Sequence, residues 1–261
     1  MNDKRNSDSL IIGRHAVVTG GGRGIGAVVA AKLSAMGAKI TLMGRNEDAL
    51  KQVAEDLSNG AWQVVDVTDS NAVTAAFEAA TKQFGPVEIL INNAGAAESA
   101  PFEKTSEALW NRMLAVNLTA QFHCQQQVLP SMRAGKWGRI INIVSTAGMI
   151  GYAYVAAYCA AKHGAIGLTR ALALETARAG ITVNAICPGF TETDLLEDSI
   201  ENIMHTTGRS REEAEKSLQA VNPQRRFIQP SEVAATVGWL CSDGAQSITG
   251  QSIAIAGGEV M

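Results

Sequence analysis

A phenol, an ammonium, a hydroxyl and a carboxamide occur in this chain at spacings that could move a proton. Tyr158 and Lys162 are four residues apart in AAYCAAKHG, so on a helix they share one face. That spacing is common by itself. Ser145, thirteen residues before Tyr158, stands just past the apolar run IINIV, and Asn117, 41 residues before it, stands inside MLAVNLTAQF. An asparagine within an apolar helical stretch competes with the backbone for hydrogen bonds and needs a reason. A phenol has an ordinary pKa near 10, and a nearby ammonium favours its ionised form. Lys162 is spaced to supply that charge. These groups suit a reaction that builds negative charge on a ketone oxygen: Tyr158 gives the proton and Ser145 holds the oxygen. Competing side chains fit less well. Tyr152 and Tyr154 have no lysine four residues on and are expected to line a pocket. Thr146, next to Ser145, is an alternative hydroxyl at the same strand end. Cys159 has no histidine–carboxylate arrangement to activate it. His163 reads as packing, and His123 and His205 lack metal-ligand spacing.

The second constellation is Thr19–Gly26, TGGGRGIG, in which five of eight residues are glycine. It follows the strand candidate AVVT and opens a helical pattern. Gly20 allows a tight turn, Gly24 lets backbone approach a pyrophosphate at the helix N-terminus, and Gly26 permits close packing. A merely flexible turn fits this strand–turn–helix setting less well. The next strand ends Met43-Gly44-Arg45-Asn46, without the acid that would bond a ribose 2′-hydroxyl. Arg45, with Arg23 from the glycine loop, instead suits a 2′-phosphate through its planar fork of donors. Either arginine alone reads equally as a solvated charge. NADP(H) is the favoured cofactor and NAD(H) remains open.

The elements that must position these groups alternate. Strands are expected at 16–19, 39–43, 62–65, 88–91, 139–144, 182–186 and 252–256. Helices are expected at 24–36, 46–57, 70–84, 107–132 (one or two), 153–179 and 231–240. Apolar strands separated by helices indicate a parallel sheet covered on both faces. The expected fold is therefore α/β: a single-domain, Rossmann-type doubly wound sheet over 13–261, preceded by a flexible tail at 1–12 that is frayed over Met1–Ser9. Its ligand crevice lies beyond the carboxyl ends of the strands. The long polar segment 190–229 is read as a helical lid over that crevice.

Of 261 residues, 46% are hydrophobic and 18% charged, with net charge -3. This supports a sizeable core and argues against a nucleic-acid binder. Cys124, Cys159, Cys187 and Cys241 form no C-x-x-C pair, so no disulfide framework or metal site is expected and the thiols read as reduced, in a cytoplasmic protein. No apolar run approaches a membrane span, and none at the N-terminus resembles a signal peptide.

Taken together, T-G-x-x-x-G-x-G, NNAG and Asn117, Ser145, Tyr158 and Lys162 in that order resemble the short-chain dehydrogenase/reductase family, over nearly the whole chain. The resemblance implies that the last four form a catalytic tetrad, with Asn117 holding a water in a proton relay to Lys162 and Lys162 bonding the nicotinamide ribose. It implies a cofactor loop of Gly20, Arg23, Gly24, Ile25 and Gly26. It places Asp66 on the adenine amino group and Val67 beside the ring, although Asp66 by itself reads equally as a helix cap. Asn93, Ala94 and Gly95 would line the ribose. In PGFTET, Pro188, Gly189, backbone at Thr191 and the Thr193 hydroxyl would meet the carboxamide. Thr191 stands where relatives carry an aliphatic residue.

The run STAGMIGYAYVAAYCAAKHGAIGLTRALALE resembles 3-oxoacyl-[acyl-carrier-protein] and 3-oxoacyl-CoA reductases and related ketoreductases. The implied partner is a small-molecule or acyl-thioester substrate, linked to acyl carrier protein or CoA. Arg209, Arg211, Lys216, Arg225 and Arg226 could meet its phosphates, but Glu212, Glu213 and Glu215 favour an ordinary charged surface. The resemblance also implies a homotetramer built through the helices around Asn117 and after Tyr158 and through the C-terminal SIAIAGGEVM. Ala157, Ala160, Ala161 and Ala165 serve either that interface or an internal core. Two other activities stay open: an NAD(H)-dependent 3-hydroxyacyl-CoA or secondary alcohol dehydrogenase, and a non-catalytic dinucleotide-binding protein.

Overall fold

Seven strands form one parallel sheet in the order β3-β2-β1-β4-β5-β6-β7 in a computed structural model that describes residues 11–261. They are β1 (His15–Thr19), β2 (Lys39–Gly44), β3 (Gly60–Val64), β4 (Ile89–Asn92), β5 (Gly138–Ile143), β6 (Ile181–Pro188) and β7 (Ser252–Ile255). Every residue of β1, β5 and β6 is buried, as a sheet covered on both faces requires. Alternation divides the core. Val18 joins Leu33, Val237 and Leu240 on one face, while Val17 joins Phe77, Val128 and Ile140 on the other.

The covering helices are α1 (Gly24–Ala35), α2 (Glu47–Glu55), α3 (Ser70–Phe84), α4 (Glu107–Leu114), α5 (Ala120–Gly135), α6 (Ala156–Thr176), α7 (Asp194–Thr207), α8 (Arg211–Gln219) and α9 (Pro230–Cys241). Local chemistry sets their ends. The Asn46 side chain accepts from the Ala49 amide to cap α2, and Asp69 accepts from Asn71 and Ala72 to cap α3. Gly37, at φ +92, turns the chain out of α1.

Two expectations need correction, and a third, open between one helix and two, is resolved. The long helix expected from Ala153 begins at Ala156, because Tyr154 takes φ +68, outside the helical region. The helical stretch expected over 107–132 is α4 and α5 joined by a π-turn, Ala115–Thr119. Ile11, expected within the flexible tail at 1–12, is instead buried and donates its amide to the Met36 carbonyl. The fraying expected over Met1–Ser9 lies outside the described residues.

The strand order reverses between β1 and β4, which opens a crevice beyond their carboxyl ends. The 190–229 segment supplies α7 and α8, held together by Leu196, Ile200, Ala214 and Phe227. Arg23 pairs with Asp194 at 2.8 Å, and Asn202 donates to Ser99 Oγ at 3.1 Å. The two-helix unit thus touches the glycine loop and the loop after β4.

Candidate active site

The loops after β1 and β4 are tied by one hydroxyl. Thr19 Oγ1 accepts from the amides of Asn93 and Ala94, both at 3.0 Å. Asn93 Nδ2 returns bonds to the carbonyls of Thr19 (3.0 Å) and Gly20 (3.1 Å). The NNAG turn therefore buttresses the glycine loop. Gly26 packs so tightly that a Cβ there would stand 2.3 Å from the Gly20 carbonyl oxygen. Gly24 opens α1 at φ +53, and Arg23 at the N-cap offers no side-chain cap. The first-turn amides of α1 are thus left for an anion. The backbone at this end fits a dinucleotide pyrophosphate.

The second cluster gathers where β5 and α6 meet. Ser145 follows β5 in extended backbone and accepts from the Ala147 amide at 3.1 Å. Its hydroxyl lies near enough to the Tyr158 phenol to lower the phenol's pKa. Lys162 Nζ donates to the Ile143 carbonyl at 3.1 Å and lies 5.5 Å from the Tyr158 ring centre. Gly148 makes this approach possible, since a Cβ there would come within 2.8 Å of the Lys162 carbonyl oxygen.

Asn117 sits in the π-turn, fully buried. Its Nδ2 donates to the carbonyls of Ala96 (2.9 Å) and Met113 (3.1 Å), and its Oδ1 accepts from the Ala96 amide at 3.3 Å. The asparagine is there to staple the helix to the loop after β4. A Cβ on Gly95 would meet Asn117 Oδ1 at 2.9 Å and Lys162 Nζ at 3.7 Å, so Gly95, Asn117 and Lys162 face one another.

The electrostatics differ from expectation. Burial pushes the Tyr158 phenol up to about 12, against a hydrogen bond with Ser145 that lowers it. Burial also pulls Lys162 down to about 8. The cost of removing charge from water outweighs the attraction expected between lysine and phenolate.

Around the crevice rim the remaining candidates separate. Arg45 is exposed at the end of β2, and Asp66, exposed after β3, feels its charge. The Asp66 carboxylate accepts from the amide and hydroxyl of Thr68, which hold it below the ordinary carboxylate range. Val67 is buried against α3 and β2 residues. Ile25 packs against the core beneath α1. Pro188 ends β6, and the Gly189 amide bonds the Ile255 carbonyl. Thr191 is buried, its hydroxyl donating to the Gly189 carbonyl at 3.0 Å, which accounts for a polar residue there. Thr193 donates to the Thr191 carbonyl and sets its methyl 3.2 Å from the Cβ position of Gly24.

Most of the basic residues after β6 are engaged locally. Arg211 pairs with Glu197 and Glu215, Lys216 with Glu212 and Arg226 with Glu232, while Arg225 donates to the Ala220 carbonyl. Ala157, Ala161 and Ala165 are buried inside the chain, so they serve the core. All four cysteines are buried and unpaired, and burial raises Cys124 and Cys241 to about 12. Among the described residues, no three His, Cys, Asp or Glu groups could hold a metal ion.

Two features escaped sequence reasoning. The Thr19 tie was signalled only by its place before the glycines. Tyr152, expected as pocket lining, also donates to Glu259 near the C-terminus. No local pattern links residues 107 positions apart.

A family model described as short chain dehydrogenase matches residues 14–203. A Streptomyces violaceoruber protein named as ketoacyl reductase 1 of the granaticin polyketide synthase is 40% identical, over 93% of this chain and 92% of its own. A D-beta-hydroxybutyrate dehydrogenase of Cupriavidus necator is 36% identical, over 96% of this chain and 99% of its own. The solved structure of an actinorhodin polyketide ketoreductase variant with NADPH superposes with TM-score 0.91 at 36% identity, covering 94% of this chain and 97% of that one.

Proposed function

The chain belongs to the short chain dehydrogenase family, and on that premise we propose that it reduces the ketone of a 3-oxoacyl thioester, carried on CoA or acyl carrier protein, with NADP(H). It is an oxidoreductase of the ketone and secondary-alcohol class. The observation that carries the finer reading is the gathering of Ser145, Tyr158 and Lys162 where β5 meets α6, with Lys162 Nζ 5.5 Å from the Tyr158 ring centre, beside a glycine loop suited to a dinucleotide.

A nicotinamide dinucleotide, when bound, supplies the hydride for this chemistry. Gly20, Gly24, Ile25 and Gly26 would hold its pyrophosphate end, with Asn93, Ala94, Gly95, Asp66 and Val67 around its adenosine. Pro188, Gly189, Thr191 and Thr193 would meet its carboxamide. Arg45 and Arg23 would select a 2′-phosphate, Arg23 exchanging its exposed bond to Asp194 for it. Ser145 Oγ–H donates to the ketone oxygen. Tyr158, protonated at neutral pH like any phenol and more firmly so through burial, gives its proton to that oxygen as charge develops. Lys162 stabilises the phenolate left behind and, with its other protons, bonds the ribose. Asn117 spends its carboxamide on Ala96 and Met113. A relay water would therefore meet main-chain groups freed where the π-turn interrupts the helical ladder.

The thioester reading is supported by likeness to the ketoacyl reductase, and the NADP(H) reading by Arg45 and by likeness to the NADPH-bound ketoreductase. Likeness to the hydroxybutyrate dehydrogenase favours a second reading, an NAD(H)-linked hydroxyacyl or secondary alcohol dehydrogenase. The α7–α8 unit acts as a lid, bridging the glycine loop and Ser99. Trp110, Phe122 and Leu174 are exposed on α4, α5 and α6, which supports assembly of a homotetramer through those helices. Buried, unpaired thiols support a reducing, cytoplasmic setting; among the described residues no helix is long and apolar enough to cross a membrane. Acetoacetyl-CoA with NADPH or NADH at equal concentration tests the proposal. NADPH consumption at least tenfold faster is expected; equal rates or an NADH preference contradicts it.

A further inference from the structure

Beyond the Ser145–Tyr158 pair, the crevice carries a carboxylate with no part in proton transfer. After β7 the chain turns through Gly257, packed on Asn222, and brings Glu259 back under the loop that follows β6. A Cβ on Gly189 would lie 2.8 Å from Glu259 Oε2. Oε1 accepts from the Tyr152 hydroxyl, which also lies 2.8 Å from Thr146 Oγ1. Thr146 is buried and adjoins Ser145; Tyr152 begins the turn into α6 that delivers Tyr158. The carboxylate is thus enclosed by the three segments that carry Ser145, Tyr158 and Pro188. It is half-buried, and among the described residues no Lys, Arg or His lies within ion-pair distance of it. Burial and the neighbouring Glu259 together push the Tyr152 phenol well above its ordinary range, so Tyr152 stays a neutral donor and leaves the negative charge in place.

We infer that Glu259 determines substrate charge: the site takes neutral 3-oxo esters and thioesters and rejects free 3-oxo acids. The inference rests on the ketone-reduction reading. With the ketone oxygen on Ser145 and Tyr158, the carboxylate of a 3-oxo acid is two carbons from the reacting centre, and Glu259 is held by Tyr152, whose hydroxyl also meets Thr146, the neighbour of Ser145. Like charges brought together in a partly dry site repel strongly. An ester or thioester carries no charge there.

The test compares kcat/KM for ethyl acetoacetate and acetoacetate with NADPH, in the wild-type chain, Glu259→Gln and Tyr152→Phe. Glu259→Gln keeps an acceptor for Tyr152 and removes the charge. The wild type is expected to favour the ester by at least roughly tenfold, a difference of about 1.4 kcal/mol. Glu259→Gln is expected to erase most of that preference by lowering KM for acetoacetate, and Tyr152→Phe, which keeps the charge, to retain it. Ester reduction with a ratio unchanged in Glu259→Gln overturns the inference alone. Loss of the ratio in Tyr152→Phe as well assigns it to shape and also overturns it. A wild-type chain without an ester preference overturns the inference alone, and one that reduces neither compound nor acetoacetyl-CoA overturns both this inference and the ketone-reduction reading beneath it.

Discussion

Lys162 shows how much chemistry rests on one uncomfortable side chain. It is buried and its pKa is drawn from 10.5 to about 8. Between those values the unfolded chain binds more protons than the folded one, so the wild-type fold gains stability as pH rises through that window. Lys162→Met removes the penalty. The variant is expected to be more stable than wild type at pH 7 by about 1–3 kcal/mol, with the advantage shrinking above pH 8, as urea titrations at several pH values measure. Its kcat is expected to fall at least roughly a hundredfold. A variant that is both destabilised and active contradicts the role given to this lysine. Tyr158 and Lys162 were legible in the sequence because both sit on one helix, whereas Ser145 and Asn117 come from other elements and were joined to them by the family resemblance. The sign of the Tyr158 shift was not legible, because burial depends on which segments close over the phenol.

Elements deliver these groups through contacts that composition foretells only in part. The strands were readable because a sheet buried on both faces needs continuous apolar runs. The π-turn and the left-handed Tyr154 were not, since both depend on tertiary partners: Ala96 for Asn117, and the closed turn before α6. A buried polar layer also went unread. Asn142 Oδ1 accepts from Asn92 and Gln125, and its Nδ2 donates to Thr169, tying β4, β5, α5 and α6 together. Asn142→Ala leaves three buried groups short of a partner and is expected to cost roughly 2–4 kcal/mol, read as a lower urea midpoint with an unchanged slope. A shift below about 0.5 kcal/mol contradicts that account. Gly164 is a subtler case. A Cβ there would stand 2.8 Å from Leu118 Cδ2, in the π-turn. Gly164→Val is expected to displace Asn117 and cut kcat by roughly tenfold while NADPH Kd, measured by fluorescence titration, changes less than twofold.

At the scale of the whole molecule, the proposed NADP(H) preference rests on charges drawn from distant parts of the sequence. Arg45 comes from the end of β2 and Arg23 from the glycine loop, with Asp194 of α7 held against Arg23. Arg45→Asp is expected to turn the NADPH preference toward NADH by at least roughly tenfold in kcat/KM; an unchanged ratio contradicts the assignment. Both arginines were visible in the sequence, whereas their neighbour Asp194, 171 positions from Arg23, was not. The whole arrangement of glycine loop, lid and sheet edge converges on one claim, that the Tyr158 hydroxyl hands its proton to a ketone oxygen. Single-turnover reduction of acetoacetyl-CoA by a Tyr158→Phe chain with NADPH bound tests it most directly. The chemical step is expected to slow by roughly a thousandfold with NADPH Kd unchanged; a rate within about threefold of wild type, on a folded and cofactor-loaded chain, contradicts the account.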